Sequence, residues 1–308
     1  MPAGNHRLGW IGTGRMGYAL CVRLLQAGND LWVYNRTRSK AEPLEEYGAK
    51  IVDSPAELAE REIVFTMVAG PQDVMDVTVG PQGVLSGATR PGILVDSTTI
   101  DPATSDELRA AATEMGTSIV AAPVSGNAKV VKSGKLTVVA SGPREAYDTA
   151  APYLAEFGRK VTYVGDTDQA RLVKLCHNLH LGVVTQSLAE VTMLAEAAGV
   201  SRHDFLDFFN DSVMGSTFTR YKAPSFVNLD WTPTFTWHLL RKDLELGLAT
   251  GRELDVPMHT AALVSQIVME GIGHGKGDID FGALLELQAA ASGRQLESEN
   301  EDVPDGLS

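Results

Sequence analysis

The sequence predicts an α/β domain with a doubly wound, mostly parallel sheet, then a long interdomain helix, then an all-α domain. Three observations carry this. Short apolar runs alternate with helical stretches through the first half of the 308 residues. The first run leads through the glycine turn Gly12-Thr13-Gly14-Arg15-Met16-Gly17 straight into an amphipathic helix. After Gly165 the strand pattern stops and helical periodicity takes over.

The elements follow in order. Strands are expected near 8–11, 31–35, 62–68, 92–96, 118–121, 136–140 and 160–164, with helices at 15–27, 38–47, 55–60, 71–78, 102–115 and 143–157. Asp53-Ser54-Pro55 and Asp101-Pro102 read as helix starts, a capping residue followed by proline in the first turn. A single long helix is expected from about 168 to 198. It carries Leu172, Leu175, Leu179, Val183, Val184, Leu188, Val191 and Leu194 on more than one side, so it should be buried on several faces and pack in an oligomer. Further helices are expected near 201–210, 216–222, 236–252, 257–271 and 279–292. The division is therefore 1–165, 166–293 and an acidic tail, 294–308. That tail carries five acidic and no basic residues from 296 onward and is expected to be disordered and solvating.

Composition bounds the function. The 44% hydrophobic content is that of a globular protein, and 26 basic against 39 acidic residues give a net charge of −13. This argues against nucleic-acid or acidic-membrane binding. No apolar stretch is long enough to span a bilayer. Cys21 and Cys176 lack metal-ligand spacing and read as buried free thiols of a reducing compartment. The chain enters a strand at once, leaving no room for a signal peptide, so a cytoplasmic protein is expected.

The glycine turn is a phosphate cradle. Gly12 allows the tight turn, Gly14 lets a pyrophosphate approach the backbone, and Gly17 lets the helix pack on the strand, while the helix N-terminus offers free N–H groups. The following strand ends at Asn35-Arg36-Thr37, where a Rossmann unit places its ribose-reading residue. An acidic residue there would favour NAD. Arg36, assisted by Thr37, Ser39 and Lys40, suits the 2′-phosphate of NADP, so NADP(H) is expected over NAD.

Further motifs then line up: Asp96-Ser97-Thr98-Thr99-Ile100-Asp101-Pro102, Ala122-Pro123-Val124-Ser125-Gly126, Lys174-Leu175-Cys176-His177-Asn178 and Leu240-Arg241-Lys242-Asp243-Leu244. Together with the glycine start and Asn35-Arg36-Thr37, over roughly residues 7–292, they resemble the β-hydroxyacid dehydrogenase family. That family includes 3-hydroxyisobutyrate dehydrogenase and succinic/glyoxylic semialdehyde reductases and is 6-phosphogluconate dehydrogenase-like. The resemblance implies an NADP(H)-dependent enzyme that interconverts a carboxylate-bearing 3-hydroxy acid and its semialdehyde, as a homodimer or homotetramer. It implies Lys174 as general acid/base, with Asn178 orienting it or holding substrate. Ser125, Gly126 and Asn127 would hold the substrate carboxylate, and Lys242 would lie near nicotinamide and substrate. Gly12, Gly14, Arg15, Met16, Gly17, Asn35, Arg36, Thr37, Met67, Val68 and Thr99 would bind the cofactor, with no metal.

The residues themselves agree with these roles. Lys174 and Asn178, four apart, share a helix face. A free lysine, with a pKa of about 10.4, is a poor base at neutral pH, and burial beside positive charge would lower it. His177 points away and reads as structural.

Three departures from the family pattern stand out. Asn127 replaces a second glycine, and Asn tolerates positive φ. Lys129, with Lys132 and Lys135, makes the substrate loop basic; a solvated loop is the favoured reading, capture of an anionic substrate the alternative. Asp168, Gln169 and Ala170 stand where glycines often precede the lysine. Trp231 and Trp237 line either the pocket or the core. An imine reductase of the same architecture is a runner-up that Lys174 argues against. A catalytically silent NADP-binding scaffold module is another, opposed by Lys174, Asn178 and the acidic charge.

Overall fold

The computed structural model describes residues 6–307. Strands β1 (Leu8–Ile11), β2 (Leu31–Tyr34), β3 (Lys50–Ile51), β4 (Ile63–Thr66), β5 (Ile93–Asp96) and β6 (Ser118–Ala121) form one wholly parallel sheet in the order β3-β2-β1-β4-β5-β6. The order reverses at β1, and this is where open α/β sheets bind ligands at their carboxyl ends. Helices α1 (Arg15–Gln26), α2 (Pro71–Thr78) and α3 (Pro102–Glu114) connect them.

All four residues of β1 are buried, as they must be in a sheet covered on both faces. Ile11 joins Val64, Leu94, Leu108 and Ala112 on one side. Trp10 faces the other, with Phe65 stacked at 5.6 Å and Phe157 edge-on at 5.9 Å. Arg38–Lys40, Glu42–Tyr47 and Pro55–Leu58, expected as helices, are 3-10 turns.

A second, small sheet was not anticipated. It comprises β7 (Val124–Ser125), β8 (Thr137–Ala140) and β9 (Lys160–Tyr163), β7 antiparallel and β9 parallel to β8. Helices α4 (Ala128–Lys132) and α5 (Arg144–Ala155) lie between these strands in sequence. Paired backbone hydrogen bonds between Ala121 and Ser141 join the end of β6 to this sheet.

Helix α6 (Gln169–Ala197) follows, close to its expected bounds. The chain divides into two compact units inside it, at Lys174/Leu175 rather than at the expected 165/166. The first turn of α6 is bonded to the preceding sheets, with Ala170 N donating to Ser141 Oγ at 3.0 Å and Arg171 Nη2 to Asp96 Oδ2 at 2.7 Å.

The second unit adds α7 (Arg202–Asp211), α8 (Thr217–Asn228), α9 (Trp237–Glu253), α10 (His259–Gly273) and α11 (Leu284–Ala291). Its core gathers Leu179, Phe226, Trp237, Leu240, Leu244, Val264, Val268, Phe281 and Leu285. Trp237 is wholly buried there, its indole donating to the Asp280 carbonyl at 3.0 Å, which places it in the core, and Trp231, half-buried, packs against the same core. Within the chain α6 buries Leu175, Leu179 and Leu188, whereas Leu172, Val191 and Leu194 stay exposed, short of the burial expected on several faces.

The acidic tail departs from the solvated run expected. Without helix or strand, it is bonded to this unit. Glu299 accepts from Arg202 N at 2.7 Å and His203 N at 2.9 Å at the start of α7, and Glu301 exchanges two hydrogen bonds with Asn228. Leu307 is buried. Ser308 and residues 1–5 lie outside the described residues. Among the described residues no helix is long and apolar enough to cross a membrane.

Candidate active site

The glycine turn has the shape the phosphate reading requires. Gly12 has φ +100°, and a Cβ there would sit 2.2 Å from the Met67 carbonyl oxygen; a Cβ on Gly17 would sit 2.0 Å from the Gly12 oxygen. Gly14 has nothing within 4 Å of its would-be Cβ. The first two glycines are therefore demanded by the protein, while the space over Gly14 lies open. Gly14 is also the N-cap of α1 and offers no side-chain cap, which leaves the N–H groups there for an anion. Thr13 Oγ1 is buried without a hydrogen-bond partner. These features fit a dinucleotide pyrophosphate. Arg15 is exposed and Met16 half-buried at the same helix end.

Asn35 braces this cradle. Its Oδ1 accepts from Thr13 N at 2.8 Å and its Nδ2 donates to Thr37 O at 2.8 Å, so the amide ties the glycine turn to the turn after β2. Arg36 is exposed and bridges Asp73 of α2 at 2.9 Å. Met67 and Val68 follow β4 beside Gly12, and Val68 N donates to Thr98 Oγ1 at 3.2 Å. Thr99, half-buried, belongs to the neighbouring turn after β5. That turn ends at Asp101, which caps α3. Burial would raise its carboxyl, but the Thr104 N–H and hydroxyl outweigh burial and hold it below the ordinary carboxylate range.

Ser125 ends β7 and Gly126 follows with φ +133°; a Cβ there would lie within 2.9 Å of Val130 and Leu136. Asn127 has an extended backbone, not the positive φ it was thought to tolerate. Its Oδ1 caps α4 by accepting from Lys129 N at 3.0 Å and Val130 N at 3.1 Å. The amide that replaces a glycine here is thus spent on a helix end. Lys129 is exposed.

On α6, Lys174 is half-buried and Asn178 buried. Asn178 Nδ2 donates to Asp243 Oδ2 at 2.5 Å, and His177 Nδ1 meets Asn178 Oδ1 at 2.8 Å. Lys242 Nζ lies 3.6 Å from Asp243 Oδ1. Asn178 and Lys242 therefore share one carboxylate. Cys21 is buried, with its thiol pushed up by burial, but Cys176 is exposed, contrary to expectation.

A family model for the NAD-binding domain of 6-phosphogluconate dehydrogenase matches residues 7–165, just over half of the chain. A second, for the NAD-binding region of NADP-dependent 3-hydroxyisobutyrate dehydrogenase, matches residues 169–288. The chain belongs to the β-hydroxyacid dehydrogenase family. Relatives in Arabidopsis thaliana include a probable mitochondrial 3-hydroxyisobutyrate dehydrogenase-like protein, 34% identical over 91% of this chain and 84% of its own length. Another is a glyoxylate/succinic semialdehyde reductase, 31% identical over 91% of this chain and 97% of its own. The crystal structure of a 3-hydroxyisobutyrate dehydrogenase from Salmonella typhimurium superposes with a TM-score of 0.83 at 26% identity, covering 92% of this chain and 99% of that one. As a β-hydroxyacid dehydrogenase family member, the protein is an NAD(P)-dependent oxidoreductase acting on CH–OH groups.

Two residues of this β-hydroxyacid dehydrogenase escaped sequence reasoning. In the sequence Asp243 stands only as a member of the Leu240–Leu244 motif, with no role of its own. Yet it stands three or four residues from the buried Leu240 and Gly247, which is the spacing of the apolar face of α9. Arg171 lies on the buried side of α6, four residues before Leu175. Periodicity held a signal for both, hidden because charged residues are read as solvated by default.

Proposed function

We propose that the protein interconverts a 3-hydroxy acid and its semialdehyde with NADP(H), using Lys174 as general acid/base. The observation that carries this reading is the pairing of Lys174 with a buried, carboxylate-held Asn178 one turn along α6. A surface lysine with an ordinary surface amide would have had neither the burial nor the partner.

The dinucleotide, when bound, supplies or accepts the hydride. In reduction the Lys174 ammonium gives its Nζ proton to the aldehyde oxygen; in oxidation the neutral amine takes the hydroxyl proton. Asn178, its amide set by Asp243, holds the substrate or orients Lys174, and Lys242 supplies positive charge. The Ser125 hydroxyl and the backbone N–H groups of Gly126 and Asn127 hold the carboxylate. Arg36, with Thr37, binds the 2′-phosphate, which a neutral or acidic residue would not favour.

The exposed Leu194, Phe208, Met214 and Leu263 of the second unit support a homo-oligomer, dimer or tetramer. Two unpaired cysteines support a reducing compartment, for which we propose the cytoplasm.

The test is NADP⁺ reduction against a panel of hydroxy acids, repeated with NAD⁺ and with Lys174→Ala. We expect 3-hydroxy acids to be turned over, NADP⁺ to be preferred, and Lys174→Ala to lose most turnover while still binding NADPH. Turnover retained in Lys174→Ala refutes the lysine role, and a strong NAD⁺ preference refutes the reading of Arg36.

A further inference from the structure

Arg171 is a buried cation for which the reaction above has no use. Its guanidinium reaches four segments of the first unit. Nη2 donates to Asp96 Oδ2 at the end of β5 at 2.7 Å, and Nη1 to the Thr98 carbonyl at 2.7 Å. Nε is shared between Ser105 Oγ in α3 at 3.0 Å and Asp168 Oδ1 at 3.1 Å. Asp96 is wholly buried, and its other oxygen accepts from Thr66 Oγ1 at 2.5 Å and Thr98 N at 3.2 Å. Asp168 also accepts from Arg109 Nη2 of α3 at 2.9 Å. Two guanidinium groups thus meet two carboxylates, and the formal charges balance.

The geometry points to Arg171 as a positioning residue of the reaction. It fastens the turn that carries Thr99 to the first turn of α6, and Lys174 stands on the turn that follows. Arg171 precedes Lys174 by three residues, about 4.5 Å along the helix axis. A planar fork of five N–H donors can hold Asp96, the Thr98 carbonyl and Ser105 at once; a lysine ammonium in the same place cannot. This also accounts for Asp168, Gln169 and Ala170 where family members often carry glycine. Asp168 grips Arg109 and Arg171, Gln169 Oε1 accepts from Thr167 N at 3.0 Å, and the Ala170 N–H is held by Ser141. The helix start is pinned by side chains. The inference rests on the reading of Lys174 as acid/base.

The test compares Arg171→Lys and Asp168→Asn, each alone and combined with Lys174→Ala. Misplacing a reacting group by about an ångström costs on the order of a hundredfold in rate. We therefore expect Arg171→Lys to lower kcat ten- to a hundredfold while the NADPH dissociation constant, read by fluorescence, stays within threefold. Asp168→Asn should lower kcat three- to tenfold and keeps the question open to test if Arg171→Lys does not fold. In the Lys174→Ala background either change should cost less than twofold, because the group being positioned is gone. Without cofactor, amides 97–101 and those of the first turn of α6 should exchange at least tenfold faster in Arg171→Lys. Folded variants with kcat within twofold of the parent overturn the inference, and so does an equal fold-loss in both backgrounds. Turnover retained in Lys174→Ala alone instead overturns the lysine reading, so the two failures are told apart.

Discussion

Asn178 donates its amide nitrogen to Asp243 across 2.5 Å, and both side chains are buried. The bond decides which way the amide faces, with its oxygen toward His177. Removing the carboxylate leaves a buried amide donor unpaired, which costs about 1–3 kcal/mol. Asp243→Ala should therefore melt lower and lose turnover more than NADPH affinity. Because the two residues act as one unit, Asn178→Ala and Asp243→Ala should combine non-additively, with a coupling of about 0.5–3 kcal/mol. Strict additivity in thermal melts and kcat would show that the contact is incidental.

Gly14 and Gly17 should part company when each is changed to alanine. At Gly17 the new carbon meets a backbone oxygen, so Gly17→Ala should destabilise the protein without any ligand present. At Gly14 it meets nothing, and the backbone there is extended, so the apo protein should melt close to the parent. NADPH affinity should nevertheless drop at least tenfold, because the added methyl occupies the approach of the pyrophosphate. Unchanged affinity in Gly14→Ala would remove the cradle from the binding site.

Arg36 is held by Asp73 before any phosphate reaches it. An exposed pair of this kind is weak, about 0–1 kcal/mol, whereas a charge-assisted bond to a phosphate is worth about 1.5–3 kcal/mol. Arg36→Ala should raise KM for NADP⁺ ten- to a hundredfold and leave that for NAD⁺ nearly unchanged. Asp73→Asn frees the guanidinium and should tighten NADP⁺ a few-fold. Equal effects on both nucleotides in steady-state kinetics would contradict a 2′-phosphate contact.

Acid should find the second unit through Asp280. Burial pushes its carboxyl up, but the Lys222 ammonium and hydrogen bonds from Lys222, Gly282 N and the Thr234 hydroxyl outweigh burial and hold it below the ordinary range. A carboxyl depressed by folding binds fewer protons in the folded than in the unfolded chain. Its contribution is complete above the unfolded value of about 3.9 and is lost as pH falls through the folded one. Lys222→Met strands the buried carboxylate, at about 3–5 kcal/mol. The variant should therefore melt lower than the parent at neutral pH, and its deficit, followed by circular dichroism, should shrink as pH falls, because protonation relieves the stranded carboxylate. A deficit that does not change with pH would mean that Asp280 does not depend on Lys222.

Every strand but the two-residue β3 and β7, the glycine turn and the bounds of α6 were legible in the sequence because each is a local pattern. Apolar runs, glycine spacing and a 3.6-residue period describe neighbours along the chain. The resemblance named the family on the same basis, from motifs read in order. Asp96 was even quoted within a motif, without a sign of its partner.

What the sequence alone determined, then, is an α/β dinucleotide-binding unit followed by helices, and which residue types carry the chemistry. The tertiary structure alone decided where the charges go. It placed Arg171 on Asp96, 75 positions away, Asn178 on Asp243, 65 positions away, and the acidic tail on Arg202. It also turned Asn127 into a helix cap and put Trp237 in the core. The physical reason is burial. A charge out of water must find a counter-charge or a donor wherever the fold brings one, and no local pattern records that distance.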